Sequence, residues 1–113
     1  MANTFKNAIK PNVTTTGSNY DTLYTAPAGA TSIILGLALA NKTTSADTVK
    51  VQITDTSASN ATIQLLEDVS IPANTTLEVL GGQKYVLETG DSLRVQAGTG
   101  TAIDAFLGVM ERT

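Results

Sequence analysis

Residues 48–55 read Thr48-Val49-Lys50-Val51-Gln52-Ile53-Thr54-Asp55. Val49, Val51 and Ile53 alternate with Lys50, Gln52 and Thr54, so an extended chain puts the apolar side chains on one side and the polar ones on the other. The same period of two returns at 91–97, where Leu93 and Val95 alternate with Arg94 and Gln96, and at 75–80, where Leu77 and Val79 alternate with Thr76 and Glu78. Residues 61–71 begin in alternation with Ile63 and Leu65, step out of phase at Leu66 and resume with Val69 and Ile71. A phase change of this kind marks a β-bulge or a strand crossing between sheets.

Two further segments are apolar on both sides. In 31–41, Ile33, Leu35, Leu37 and Leu39 fall on one face and Ile34, Gly36, Ala38 and Ala40 on the other. In 101–111, Ile103, Ala105, Leu107 and Val109 lie opposite Asp104, Phe106, Gly108 and Met110. A short helix over 31–41 is the alternative, but the Ile33-Ile34 pair, Gly36 and the strand-rich surroundings oppose it. A strand apolar on both faces is covered on both, whereas a lone sandwich covers only one. These two strands therefore call for a partner subunit.

Turn residues punctuate the runs: Ala26-Pro27-Ala28-Gly29, 41–47, 55–60, Pro72-Ala73-Asn74, Gly81-Gly82, Thr89-Gly90-Asp91 and Gly98-Thr99-Gly100. The result is about seven or eight short strands in 113 residues, an all-β antiparallel β-sandwich of jelly-roll or Ig-like type. Residues 1–18 read as an N-terminal arm with one short strand around 4–9, and 19–113 as a single sandwich domain.

Composition narrows the chemistry. The chain holds no histidine and no cysteine, which removes Ser–His and Cys–His nucleophiles, zinc fingers, iron–sulfur clusters and disulfides. A net charge of −3 offers no footprint for nucleic acid or anionic membrane. The apolar run 33–40 is too short to span a bilayer, and the N-terminal residues show no apolar core of a secretory signal. No cofactor or metal is expected. Charged residues make up only 15%, and threonine, serine, asparagine and glycine take their place, as suits strands and turns.

Four groups invite a functional reading. Asp55-Thr56-Ser57-Ala58 after an apolar strand resembles the active-site loop of retroviral-type aspartic proteases, whose dimers share one proton between two aspartates. Asp55 lies midway along the chain rather than in its first third, and the later Gly-Arg/Asn-type turn is missing. A polar hairpin turn is the plainer expectation. The carboxylates Glu67, Asp68, Glu88, Asp91 and Asp104 lack calcium-loop spacing and read as turn residues, except Asp104. It sits among apolar neighbours and is expected to pair with Lys84, Arg94 or Arg112, or to face an interface. Asn12, Asn41, Asn60 and Asn74 head Asn-x-Thr triplets that an Asn- and Thr-rich chain produces by chance. Tyr20 and Tyr24 offer a small stacking platform for a glycan or, more simply, packing.

A set of stretches carries a resemblance. They are Leu23-Tyr24-Thr25-Ala26-Pro27-Ala28-Gly29-Ala30-Thr31, Val69-Ser70-Ile71-Pro72-Ala73-Asn74, Leu80-Gly81-Gly82, Tyr85-Val86-Leu87-Glu88-Thr89-Gly90-Asp91-Ser92-Leu93 and Asp104-Ala105-Phe106-Leu107-Gly108-Val109-Met110-Glu111. From Tyr20 onward the chain resembles the small β-sandwich virion proteins of tailed bacteriophages, especially those of marine and cyanobacterial hosts. That resemblance implies a non-enzymatic structural protein of the virion. It implies a homo-oligomeric capsid-decorating or neck/tail-associated subunit, partnered by major capsid or tail/neck proteins. A host-surface glycan-binding module of the particle is the alternative, and the protease a remote one. The residues expected at the subunit interface are Phe5, Ile9, Val13, Ile34, Gly36, Ala38, Ala40, Phe106 and Met110.

Overall fold

The computed structural model describes residues 2–15, 20–81 and 83–113. Nine strands follow one another: β1 (Asn3–Lys10), β2 (Asp21–Thr25), β3 (Thr31–Asn41), β4 (Asp47–Asp55), β5 (Ala61–Ile71), β6 (Thr76–Glu78), β7 (Tyr85–Leu87), β8 (Ser92–Ala97) and β9 (Ile103–Arg112). A 3-10 turn, Thr56–Ala58, joins β4 to β5. The strands form two antiparallel sheets. One has the order β1-β9-β3-β6, with β7 also paired to β3; the other has the order β2-β8-β4-β5. Successive strands switch sheets from β1 to β4 and again from β7 to β9, the winding of a jelly roll rather than an Ig-like sandwich. The count is nine because β6 and β7 share one side of β3, β6 against Ala38–Ala40 and β7 against Ser32–Ile34.

Alternation builds the core. Val49 and Val51 of β4, Leu93 and Val95 of β8, Leu37 and Leu39 of β3, and Ile103, Leu107 and Val109 of β9 point inward and are buried. The phase change expected in 61–71 is a pair of register shifts in β5, where Val51 faces Leu66 and Val49 faces Val69. Asp68 turns left-handed there, φ 52°, and its side chain joins Glu67 around Lys50.

The segment expected as an arm holds β1, registered along its length against β9 from Asn3↔Arg112 to Lys10↔Ala105. The chain then bends at Asn12, φ 56°. Val13 plugs into the core, its N–H donating to the Ile103 carbonyl at 2.9 Å. Of the arm's remaining residues, 16–18 lie outside those described.

Candidate functional site

β9 alternates without interruption. Ile103, Ala105, Leu107, Val109 and Glu111 are buried, while Asp104, Phe106, Gly108, Met110 and Arg112 face outward. Register carries that outer row onto both neighbours. On β1, Phe5 lies beside Met110, Asn7 beside Gly108 and Ile9 beside Phe106. On β3, Ile33 lies beside Met110, Gly36 beside Gly108, Ala38 beside Phe106 and Ala40 beside Asp104. β7 adds Val86 next to Ile33, and β6 adds Glu78 next to Ala38.

This outer face is open, and most of its residues are apolar. Phe5 is 71% exposed, Ile9 69%, Val86 61% and Phe106 45%. Lone exposed apolar residues are ordinary, but a contiguous group marks a contact surface. β1 sharpens the point, because its outward row is Phe5 and Ile9 while Lys6 and Lys10 lie on the side of its sandwich-facing neighbours. Charges turned inward on an edge strand oppose edge-to-edge pairing with another sheet. The edge is thus blunted while the face stays open.

Phe106 stands as a ridge between two hollows. One, of about 370 Å³, is bounded by Ile9, Pro11, Ala38, Ala40, Thr76 and Asp104. The other, of about 220 Å³, is floored by Gly36, Ala38 and Gly108 with Glu78 at its rim. A side chain added at Gly36 or Gly108 would meet nothing within 4 Å, so the floor is open to whatever lies above it.

The opposite face of the sandwich has a different chemistry. Its outward residues are Thr22 on β2, Arg94 on β8, Lys50, Gln52 and Thr54 on β4, and Thr62 and Gln64 on β5. Thr54 and Thr62 share a hydroxyl hydrogen bond of 3.0 Å, and Lys50 bridges Glu67 at 2.8 Å. This face is the more polar of the two, although Ile63 of β5 stands 57% exposed and Thr54 and Gln96 are buried.

The interface residues expected from sequence divide accordingly. Phe5, Ile9, Gly36, Ala38, Ala40, Phe106 and Met110 share the outer face of one sheet. Val13 and Ile34 do not, being 1% and 0% exposed inside the protomer. For Ile34 the cause is a register shift between Ile34 and Gly36, which turns Ser32 and Ile34 inward together with Leu37 and Leu39. Leu35, at the irregularity, is released to 40% exposure.

The remaining candidates each hold a turn or a strand end in place. Asp55 caps the 3-10 turn, accepting from Ser57 N–H at 3.0 Å, Ser57 Oγ at 2.6 Å and Ala58 N–H at 3.2 Å. The Ser57 hydroxyl, above all, holds the Asp55 carboxyl below its usual range. Asp91 accepts from Thr56 N–H and Thr56 Oγ1 through one oxygen, and from Glu88 N–H through the other. Both carboxylates line a hollow of about 500 Å³ at the open flank of the sandwich, beside Ile53, Ile63 and Tyr85, but each is occupied holding its turn. Asp104 pairs with Lys42 at 2.8 Å rather than with Lys84, Arg94 or Arg112, because Lys42 follows the stretch of β3 that lies opposite Asp104. That ammonium and the Asn12 N–H lower its pKa. Asn41 is 2% exposed and donates to Ser45 and Ile71 carbonyls, so its side chain belongs to the fold. Among the described residues, no group of three or more His, Cys, Asp or Glu could hold a metal ion, and no helix is long and apolar enough to cross a membrane.

The hydroxyls of Tyr20 and Tyr24 go to different partners. Tyr20 receives the Gln64 amide at 3.3 Å. Tyr24 crosses between the sheets: its hydroxyl lies 2.7 Å from Ser32 Oγ and donates to Glu111 Oε2 at 2.5 Å. Lys6 of β1 completes the cluster at 3.0 Å from Glu111 Oε1. Burial, then the Glu111 carboxylate, push the Tyr24 hydroxyl up to about 12, while the Tyr24 hydrogen bond, then Lys6, lower the pKa of Glu111. This four-residue latch ties β1, β3 and β9 to the opposite sheet through β2. Sequence reasoning missed it, since its central partners are separated by 87 positions.

No protein-family model matches the chain, and no curated protein matches it. Solved structures do resemble it in shape. One is the structure of infectious bursal disease virus, Gx strain, with a TM-score of 0.47 and 13% identity, covering 98% of this chain and 33% of that one. Another is the globular domain of the zebrafish complement 1qA protein, with a TM-score of 0.42 and 14% identity, covering 93% of this chain and 94% of that one. The chain thus spans about a third of the viral chain it matches. Neither neighbour is a protein of a tailed bacteriophage.

Proposed function

We propose that this chain is a homo-oligomeric structural protein of a virion, a capsid-decorating or neck/tail-associated subunit of a bacteriophage particle that performs no bond-making chemistry. One observation carries the reading. The outer face of the sheet built from β1, β9, β3 and β7 exposes Phe5, Ile9, Val86 and Phe106 around a floor of small residues, with Asn7, Asp104 and Arg112 among them, while the other sheet presents Lys50, Gln52, Thr62 and Gln64 on its outer side. A subunit so divided lies with one face against its neighbours and the other in water. The resemblance of the chain from Tyr20 onward to small phage virion proteins supplies the setting.

The mechanism is burial multiplied by symmetry. Apolar area taken from water contributes about 25 cal/mol per Å². Association costs enough that a single small contact is weak. In a closed array each subunit is held by several contacts at once, so their effective concentrations reinforce one another. The capsid or tail/neck proteins of the particle provide the surface on which the array sits.

Replacing Ala38 with Arg places a guanidinium in the middle of the face, beside Phe106, where the wild-type side chain is half-buried and points outward. The expected result is a folded, soluble monomer by size-exclusion chromatography with light scattering, against an oligomeric wild type. An A38R protein that assembles like the wild type would refute the assignment of this face.

A further inference from the structure

Five outward residues of β9 follow one another as Asp104, Phe106, Gly108, Met110 and Arg112. The row is complementary to its own reversal. Laid antiparallel on a second copy and centred on Gly108, it sets Asp104 opposite Arg112, Phe106 opposite Met110 and Gly108 opposite itself. We propose that the occupant of this face is a second copy of the chain, docked about a two-fold axis that passes between the two Gly108 residues, with the two β9 strands antiparallel across the interface. This rests on the oligomeric reading above and specifies its geometry.

Several features fit that docking. Arg112 is exposed, and among the described residues its guanidinium makes no salt bridge or side-chain hydrogen bond, so its charge is available. Asp104 receives Lys42 and the Asn12 N–H on Oδ1, which leaves Oδ2 for a guanidinium. Stacked sheets cross at about 30° and come closest where the strands cross. Gly108, with Gly36 next to it in register, lies at that crossing, where absent side chains let two backbones approach. Away from the crossing, the Phe106 ridge of one copy meets the thioether of the other, a favourable sulfur–aromatic contact. The molecule measures 45 × 27 × 20 Å, and a face bounded by the two longer dimensions can supply the roughly 800 Å² per partner of a standard stable interface. An isologous contact of this kind closes the pair on itself, so the dimer is the unit that repeats in the array and meets the particle through its remaining surface.

The chain has no native cysteine, so disulfide mapping is clean. Two differently tagged single variants, Phe106→Cys and Met110→Cys, are mixed, equilibrated and oxidised. The expected product is a disulfide between the two variants, with little between copies of the same variant. Same-position disulfides, or none in a protein that light scattering shows to be oligomeric, overturn the two-fold geometry and leave the oligomeric reading standing. A protein monomeric at all concentrations overturns both. Arg112→Asp provides an arm that needs no cysteine. It sets carboxylate against carboxylate at both ends of the interface, and weaker dimerisation is expected. Unchanged dimerisation overturns the proposal.

Discussion

Tyr24→Phe isolates the cross-sheet latch. The ring, and with it the packing, is retained; only the hydroxyl between Ser32 and Glu111 is removed. Ser32 is 0% exposed and Glu111 6%, so neither regains full hydration in exchange. A hydrogen bond to a charged, buried acceptor is worth about 2 kcal/mol, most of it the cost of leaving the acceptor unsatisfied. At about 4 °C per kcal/mol for a domain of this size, Tm falls by about 8 °C at pH 7. The pH dependence adds a second signature. Glu111 has a lowered pKa in the fold, so its contribution is full above the unfolded carboxylate range and is lost as pH falls through the folded value. Tyr24 has a raised pKa, so its contribution is full below the unfolded phenol's pKa near 10 and is lost as pH rises toward about 12. The variant keeps a shallower acid limb and lacks the alkaline loss due to this phenol. Thermal melts by circular dichroism across pH, made in the monomeric A38R background so that assembly does not move Tm, read both. A Tm within about 2 °C of the parent at pH 7 would contradict a satisfied, energetically coupled latch.

Two other substitutions test the interior. Leu107→Ala, at a side chain 0% exposed, removes three carbons from the middle of β9 and is expected to cost about 3 kcal/mol, seen as a lower urea midpoint with unchanged m-value. Gly98→Ala brings a Cβ to 2.7 Å from both Asp47 Oδ1 and Thr48 Oγ1. Asp47 cannot swing aside freely, because its other oxygen receives the Thr99 N–H at 3.1 Å. A loss of about 1–2 kcal/mol in the same denaturation assay is expected, and a neutral result would show that this turn repacks at no cost.

Much of the sandwich was legible because period-two alternation is a local signal. β4 and β8 declare their inner and outer rows in consecutive residues, and the β5 bulges show as a break in phase at Leu66. β3 was legible as a strand but not as a pair of faces. From Ile33 to Ala40 no residue is polar, so nothing in the sequence marks the irregularity at Leu35 that sends Ile34 inward. The side of β1 was hidden for another reason. Phe5 and Ile9 alternate with Lys6 and Lys10, a pattern that normally puts the apolar row inside, yet pairing with β9 puts it outside. The face of an edge strand depends on its register with a neighbour about 100 residues away along the chain, which no window of sequence contains. The same distance hid Tyr24–Ser32–Glu111–Lys6, whose members look like unrelated surface residues until the sheets close over them.

A subunit of this kind keeps the exposed apolar residues of the β1-β9-β3 sheet covered in solution. Sedimentation velocity of the unmodified protein over a wide dilution series measures this directly. A concentration-dependent oligomer, sedimenting well above the 11.7 kDa chain, is the expected result. A single species of chain mass at every concentration, with Phe106 and Met110 fully open to surface oxidation, would contradict it.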